Sequence, residues 1–252
     1  MEVSREIDLN ADLGEGAAHD EAILACVSSV NIACGGHAGD AASMQMAVGA
    51  ALRYGVAIGA HPSFLDRENF GRAAMHLPVD QVARMLKTQI LALREIVQQQ
   101  GGVLVHVKPH GALYNQAACD SALALVIVRA AAEIDPSLRI VGLAGSELIR
   151  VAQSEGMAVA QEVFADRRYL SDASLAPRSR PDASIVDLQQ ALQQVLLLIE
   201  EHKVVALDGA CLSVPFDTIC LHGDGVYALE LAQLLRRTLA QKQIQVRPVG
   251  SR

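Results

Sequence analysis

Acidic, basic and amide side chains recur at the ends of six short apolar runs: IDLNADLGEG (7–16), VNIACGGHAGD (30–40), AIGAHPSFLDR (57–67), VLVHVKPHGALYN (103–115), VAQEVFADRRY (159–169) and ICLHGDG (219–225). In parallel β/α proteins the loops after the carboxyl ends of strands converge on one crevice, so chemistry is expected at such endings. Alternation sorts the side chains further. In extended backbone Asp8, Asn10 and Asp12 share a face, as do His106, Lys108 and His110, and as do Cys220, His222 and Asp224. A face packed on helices would not hold these groups without partners, which assigns them to the mouth of a barrel.

Several chemistries suit this set. Asp12, His37 and His61 offer one carboxylate and two imidazoles, donors for a catalytic divalent metal with an open position for water, although neither imidazole belongs to an HxxxH or HExxH spacing. Lys108 beside His110 suits an anionic group or an oxyanion, with Asp12 or Glu162 as the carboxylate that activates water. A desolvated Lys108 would also suit Schiff-base chemistry, which nothing beyond its position supports. Arg67, Arg72, Arg167 and Arg168 are candidates for a bidentate carboxylate clamp, with ion pairs to Asp66 or Asp166 as the alternative. His19, His76 and His202 fall on loops or helix ends and are expected at the surface. No GxxxxGK[ST] loop, strand-borne GxGxxG or GxSxG elbow occurs in the chain.

The elements that must position these residues follow from hydrophobic period. Strands are expected near 6–10, 29–33, 57–59, 103–108, 140–143, 158–163 and 218–221, and helices over 40–53, 79–99, 121–133, 146–154, 184–202 and 225–241. Asp40 can cap its helix, Pro78 precedes the next, and Gly55, Gly101 and Gly156 mark helix ends. Val82, Leu86, Ile90 (or Gln89), Leu93 and Val97 form a stripe at spacings of three and four, suited to covering a sheet. Strand, helix, strand repeated along the chain requires a parallel sheet. Polar endings on nearly every strand favour a closed (β/α) barrel, as one domain spanning 1–252, over an open sheet with a single switch point. The polar, Pro-rich stretch 169–184 breaks the rhythm and reads as a lid, a binding loop or a disordered excursion, and 204–214 reads as a small hairpin.

Composition narrows the function classes. The 252 residues are 51% hydrophobic, enough for a sizeable core, and the net charge of −7 without a basic run argues against nucleic acid. Aromatics are 3% and Trp is absent, which leaves little for stacking on bases or sugars. The opening MEVSREIDLNAD lacks a basic segment followed by an apolar one, and apolar stretches such as 195–199 are far below the roughly 20 residues of a membrane span. A soluble, cytoplasmic protein without membrane partners is expected. Cys26, Cys34, Cys119, Cys211 and Cys220 are odd in number and widely spaced, so small core residues are expected rather than disulfides or a zinc knuckle.

Taken together, IDLNADLGEG, NIACGGHAGD, GAHPSFLDRENFGR, VKPHGALYN, FADRRY with the downstream LAPR, and ICLHGD resemble the LamB/YcsF family, from about Ile7 to Pro248. The resemblance implies a seven-stranded β/α barrel akin to the glycoside hydrolase/deacetylase superfamily. It also implies the ATP-dependent hydrolysis of 5-oxo-L-proline to L-glutamate, the chain being the A component of a bacterial 5-oxoprolinase with separate subunits B and C. Family polar positions fall on Asp8, Asn10, Asp12, Glu15, His37, Asp40, His61, Lys108, His110, Tyr114, Glu162, Asp166, Arg167, His222 and Asp224. Of these, Asp12, Lys108, His110, Glu162 and His222 are the expected catalytic residues. Asp8, Asn10, Glu15, His37, His61, Tyr114, Asp166, Arg167 and Asp224 are expected to bind substrate, and Asp12, His37 and His61 are the candidate metal ligands. ATP is expected for the complete reaction, a divalent metal and a homo-oligomer being further options. Gly36, Ala173 and Gly225 depart from the residues usual in the family. Two other readings stand beside this one: a metal-dependent deacetylase or amidase without ATP, and a non-catalytic component that holds the lactam or its phosphorylated form.

Overall fold

The computed structural model describes residues 6–223, 225 and 227–250. β1 (Glu6–Leu13), β2 (Ser29–Ala33), β3 (Ala57–His61), β4 (Leu104–Val107), β5 (Arg139–Leu143) and β6 (Val159–Phe164) follow one another, with a short hairpin of β7 (Lys203–Val205) and β8 (Cys211–Ser213) before β9 (Thr218–His222). Among the described residues, β1 to β6 and β9 pair in parallel, and β9 pairs back onto β1, so seven strands close a barrel. β10 (Gln245–Val246) extends the sheet from the opening residues of β1.

Period 2 along β1 separates two environments. Leu9, Ala11 and Leu13 belong to the apolar core between sheet and helices, whereas Asp8, Asn10 and Asp12 belong to the interior. Register then sets height, since Asp12 lies opposite Asn31 on β2 and His222 on β9, and Glu162 lies opposite Thr218. The barrel is filled by a hydrogen-bonded polar lattice instead of the layers of branched aliphatic residues common in larger barrels. Gly59 makes this possible on β3, because a Cβ there would fall 1.9 Å from the His106 ring nitrogen. His106 in turn donates from Nε2 to Asn31 Oδ1 at 2.7 Å, with burial holding its imidazole neutral and its pKa down at about 3.

The helices are α1 (Asp20–Leu24), α2 (Ala41–Tyr54), α3 (Val79–Gln99), α4 (Gly111–Ala117), α5 (Ser121–Ile134), α6 (Glu147–Ser154), α7 (Leu188–Glu201) and α8 (Ala228–Gln241). The α3 stripe is buried as its spacing requires, each fully buried aliphatic contributing roughly 1.5–3 kcal/mol. Gln89 is buried with it and clamps both backbone groups of Ser63, fixing the loop that follows His61. Asp40 caps α2 with a capping box, and Asp120, Ser146 and Asp187 cap α5, α6 and α7.

Three local differences from the sequence reading have physical causes. α7 starts at Leu188, not 184, because Ser184 pairs with Arg167 and the Ile185 N–H donates to the Asp166 carbonyl. α1 and α4 are too short to display a helical period. The 169–184 stretch is ordered: Tyr169 bridges to Leu175 and Ala206, and its hydroxyl accepts from the Phe164 N–H at 2.8 Å. All five cysteines are free thiols, with Cys26, Cys34 and Cys220 buried and Cys119 and Cys211 exposed. Among the described residues no helix is long and apolar enough to cross a membrane.

Candidate active site

At the carboxyl end of the barrel a cavity of about 380 Å³ is lined by Asp12, His61, Lys108, His110 and His222 at or just after strand ends, by Tyr114 of α4, and by Arg72, Arg167 and Arg178 from loops. Eight of the residues expected from sequence therefore face one space: the first six, Arg72 and Arg167. Leu175, Pro177 and Ser179 of the 169–184 strap line the same cavity, so this stretch forms part of its wall.

Lys108 occupies the floor. Its ammonium lies 2.8 Å from Asp12 Oδ1 and 2.8 Å from Glu162 Oε1, with Asn10 Oδ1 at 3.3 Å and Cys220 Sγ at 3.1 Å. Burial alone would lower the Lys108 pKa, but the Asp12 and Glu162 carboxylates outweigh it and keep the ammonium charged. The ammonium is the form of Lys108 that suits an anionic group or oxyanion, whereas the Schiff-base reading needs the neutral amine. Burial likewise pushes up on Asp12, and His61 and Lys108 outweigh it, holding that carboxyl well below the usual range. Cys220 is a neutral core thiol, pushed far up by burial.

Several expected contact residues lie behind the cavity wall. Glu162 is fully buried, its oxygens taken by Lys108, by Asn10 Nδ2 at 3.0 Å and by the Tyr114 hydroxyl at 2.8 Å, so it anchors Lys108 and does not reach a substrate. Asn10 is held by Asn31 and Thr218 beneath the same floor. Asp166 stands behind His222, both carboxylate oxygens 3.0 Å from Nδ1, which orients that imidazole and leaves Nε2 for the cavity. Asp8 sits at the opposite end of the barrel, accepting from Ser28, Ser29 and Thr218 hydroxyls, and is no substrate ligand at the mouth. Asp224 lies outside the described residues.

The arginines divide similarly. Arg67 fastens the loop after β2 through the Gly35 and Gly39 carbonyls, and Arg168 donates to Gln190 on α7. Arg167 is buried and donates to the Ala176 and Ala183 carbonyls, holding the strap down while lining the cavity; burial, with Arg178 nearby, lowers its pKa to about 10. Arg178 is absent from the chemical candidates read from sequence, although it ends the LAPR string that carries the family resemblance.

A second cluster adjoins the floor. Glu15 Oε1 lies 2.9 Å from His37 Nε2, 3.4 Å from His110 Nδ1 and 3.8 Å from His61 Nε2, and the two last nitrogens are 2.9 Å apart. His37 stacks on His110 with centroids 3.6 Å apart, a contact that admits only glycine at Gly71, whose φ is +65° and whose Cβ would meet the His37 Cβ at 2.8 Å. Asp12 Oδ2 approaches this group only through His61, at 3.4 Å. The donors gathered here are therefore Glu15, His37, His61 and His110, not the Asp12, His37 and His61 set expected from sequence. His19, His76 and His202 are exposed.

Fold and mouth define a seven-stranded β/α barrel with a polar, cation-ringed crevice at its carboxyl end. The chain belongs to the LamB/YcsF family, whose profile matches residues 7–252. It is similar to the lactam utilization protein of Thermus thermophilus, with 41% identity over 96% of this chain and 99% of that one, at a TM-score of 0.89. The same barrel occurs in a family 4 carbohydrate esterase from Streptomyces lividans (14% identity, 96% and 91% covered, TM-score 0.50) and in the peptidoglycan deacetylase PdaC of Bacillus subtilis (15% identity, 98% and 88% covered, TM-score 0.50). These two likenesses concern the fold.

Proposed function

We propose that the chain is the lactam-binding, hydrolytic A component of an ATP-dependent 5-oxoprolinase, acting with subunits B and C on 5-oxo-L-proline. The observation that carries this reading is the buried Lys108 ammonium on the floor of a cavity ringed by Arg72, Arg167 and Arg178. The likeness to a lactam utilization protein supports a cyclic amide as substrate class. A small lactam fills only part of about 380 Å³, which leaves room for a phosphoryl group on its oxygen.

An amide carbonyl is a weak electrophile, and its nitrogen is a poor leaving group unless protonated. Transfer of the ATP γ-phosphoryl group to the lactam oxygen removes the first obstacle. Water then adds to the activated carbon, the ring C–N bond breaks as the nitrogen takes a proton, and a second water hydrolyses the resulting acyl phosphate to give glutamate and inorganic phosphate, ADP having left in the transfer. In this scheme the arginines hold the substrate carboxylate, and Lys108 stabilises charge developing on oxygen. Asp12, beside His61, takes the proton of the attacking water, and His222, oriented by Asp166, supplies the proton to nitrogen. The strap over the cavity limits access of bulk water.

The test is to mix the purified chain with subunits B and C, 5-oxoproline and Mg-ATP and to measure glutamate. Loss of glutamate release in Lys108→Ala and Asp12→Ala is expected. Release unchanged by both substitutions would assign the chemistry to the other two subunits.

A further inference from the structure

We propose that Glu15, His37, His61 and His110 form a site for one divalent transition-metal ion at the edge of the mouth cavity. The four candidate ligand atoms lie within 4.8 Å of one another. A tetrahedral site with bonds of about 2.1 Å places its ligands roughly 3.4 Å apart. The separations of four of the six pairs, 2.9 Å, 2.9 Å, 3.4 Å and 3.8 Å, bracket that value; the parallel stack of His37 on His110 must tilt for both rings to point a lone pair at one ion.

Proton placement points the same way. His61 Nδ1 donates to the Lys108 carbonyl at 2.8 Å, and His110 Nε2 donates to the Phe70 carbonyl at 2.9 Å. With both rings neutral, each bond leaves a lone pair on the other nitrogen, and these lone pairs, on His61 Nε2 and His110 Nδ1, face each other at 2.9 Å. Two lone pairs that close repel unless a cation or a proton lies between them. Ligation through one imidazole nitrogen while the other donates to a backbone carbonyl is the usual arrangement of metal-bound histidine. His61 and His110 line the cavity, so an ion held by them is reachable by substrate or water.

The other ligand cluster, Asp12, Cys220 and His222, is excluded by charge. The Lys108 ammonium lies 2.8 Å from Asp12 and 3.1 Å from Cys220 and already fills the cation's place. Three imidazoles and one carboxylate favour zinc or a late first-row ion over magnesium or calcium. Metal binding at these four residues does not depend on the lactam assignment, since it concerns occupancy and not turnover.

The experiment strips the full chain with chelator, dialyses it against zinc or cobalt, and measures metal per chain, calorimetric affinity and the visible spectrum of the cobalt form. About one ion per chain is expected, with zinc raising the melting temperature of the stripped protein. His110→Gln and Glu15→Gln should weaken binding by more than the roughly 10- to 100-fold that outer-sphere partners command, and Asp12→Asn should retain one ion. A folded chain that takes up neither metal overturns the site, as does binding that survives His110→Gln but is lost in Asp12→Asn. Should the ligand variants fail to fold, X-ray absorption of the zinc-loaded wild type decides. Imidazole scattering supports the site, and a sulfur neighbour, which would place the ion at Cys220, overturns it.

Discussion

Asp8 and Asp12 share one face of β1 and are equally buried, yet their surroundings oppose each other. At the amino end of the barrel Asp8 accepts from the Ser28, Ser29 and Thr218 hydroxyls at 2.6 Å, 2.7 Å and 2.6 Å, and burial outweighs those bonds, raising its pKa. At the carboxyl end Asp12 meets an ammonium and an imidazole, and these outweigh burial and lower its pKa. Identical residues on identical strand faces thus become a structural acceptor at one end and a charged member of a site at the other. What separates them is the neighbouring strands, which supply hydroxyls below and Lys108 and His61 above.

The largest expected effect comes from removing the cation that distinguishes the mouth. Lys108→Met would leave Asp12 and Glu162 facing each other without the ammonium between them, costing about 3–5 kcal/mol of stability. Glutamate release by the assembled enzyme should fall by at least roughly 10³-fold. By contrast Asp8→Ala should lower urea-unfolding stability by about 1–3 kcal/mol and leave 5-oxoproline affinity unchanged. Equal losses of affinity in both variants would abolish the functional distinction between the two ends. Next in size is His222→Gln, expected to reduce kcat roughly 10²- to 10⁴-fold in steady-state assays with little change in KM. Asp166→Asn, which removes only the orienting partner, should cost less than His222→Gln, and a larger cost would reverse their assigned roles.

The sequence located the barrel and its polar faces because alternation along β1, β4 and β9 is set by strand geometry alone. It did not locate depth. Asp8, Asn10 and Glu162 have the parity of site residues but lie at the far end or beneath the floor, a consequence of register between strands remote in the chain. Glu15 and His37 follow the strand ends, where alternation carries no information, and their meeting with His61 and His110 depends on loops closed around Gly71. Arg178 sits in a stretch without period, and only its place in the LAPR string marks it. Arg67 and Arg168 show the converse, since the same residue type that clamps anions also satisfies loop carbonyls and side-chain amides.

A smaller effect tests the arginines that line the mouth cavity. Arg178→Ala should raise KM for 5-oxoproline by roughly tenfold with kcat nearly unchanged, since it removes a charge-assisted contact made alike in ground and transition states. Arg67→Ala serves as the comparison, because that guanidinium binds Gly35 and Gly39 carbonyls and should leave KM unaltered. Steady-state titration of both variants checks this, and a KM that rises more in Arg67→Ala would remove Arg178 from the binding surface.

The smallest effect is the opposite pH dependence of the two aspartates. Asp8 has a folded pKa above its unfolded value of about 3.9, so its protonated form is favoured by folding; that stabilisation is complete below the unfolded value and is lost as pH rises through the folded one. Asp12 has a folded pKa below its unfolded value, so its contribution is complete above about 3.9 and is lost as pH falls through the folded one. On going from about pH 2.5 to about pH 7, the destabilisation by Asp8→Asn should therefore shrink while that by Asp12→Asn should grow. Each trend is bounded by about 1.4 kcal/mol for every tenfold difference in proton affinity between folded and unfolded chain. Urea unfolding of both variants and the wild type, in chelator and across that range, measures the two trends. Parallel trends would mean that hydroxyl donors and the Lys108 ammonium act alike on a buried carboxylate, and the contrast between the barrel's two ends would then rest on access to the cavity alone.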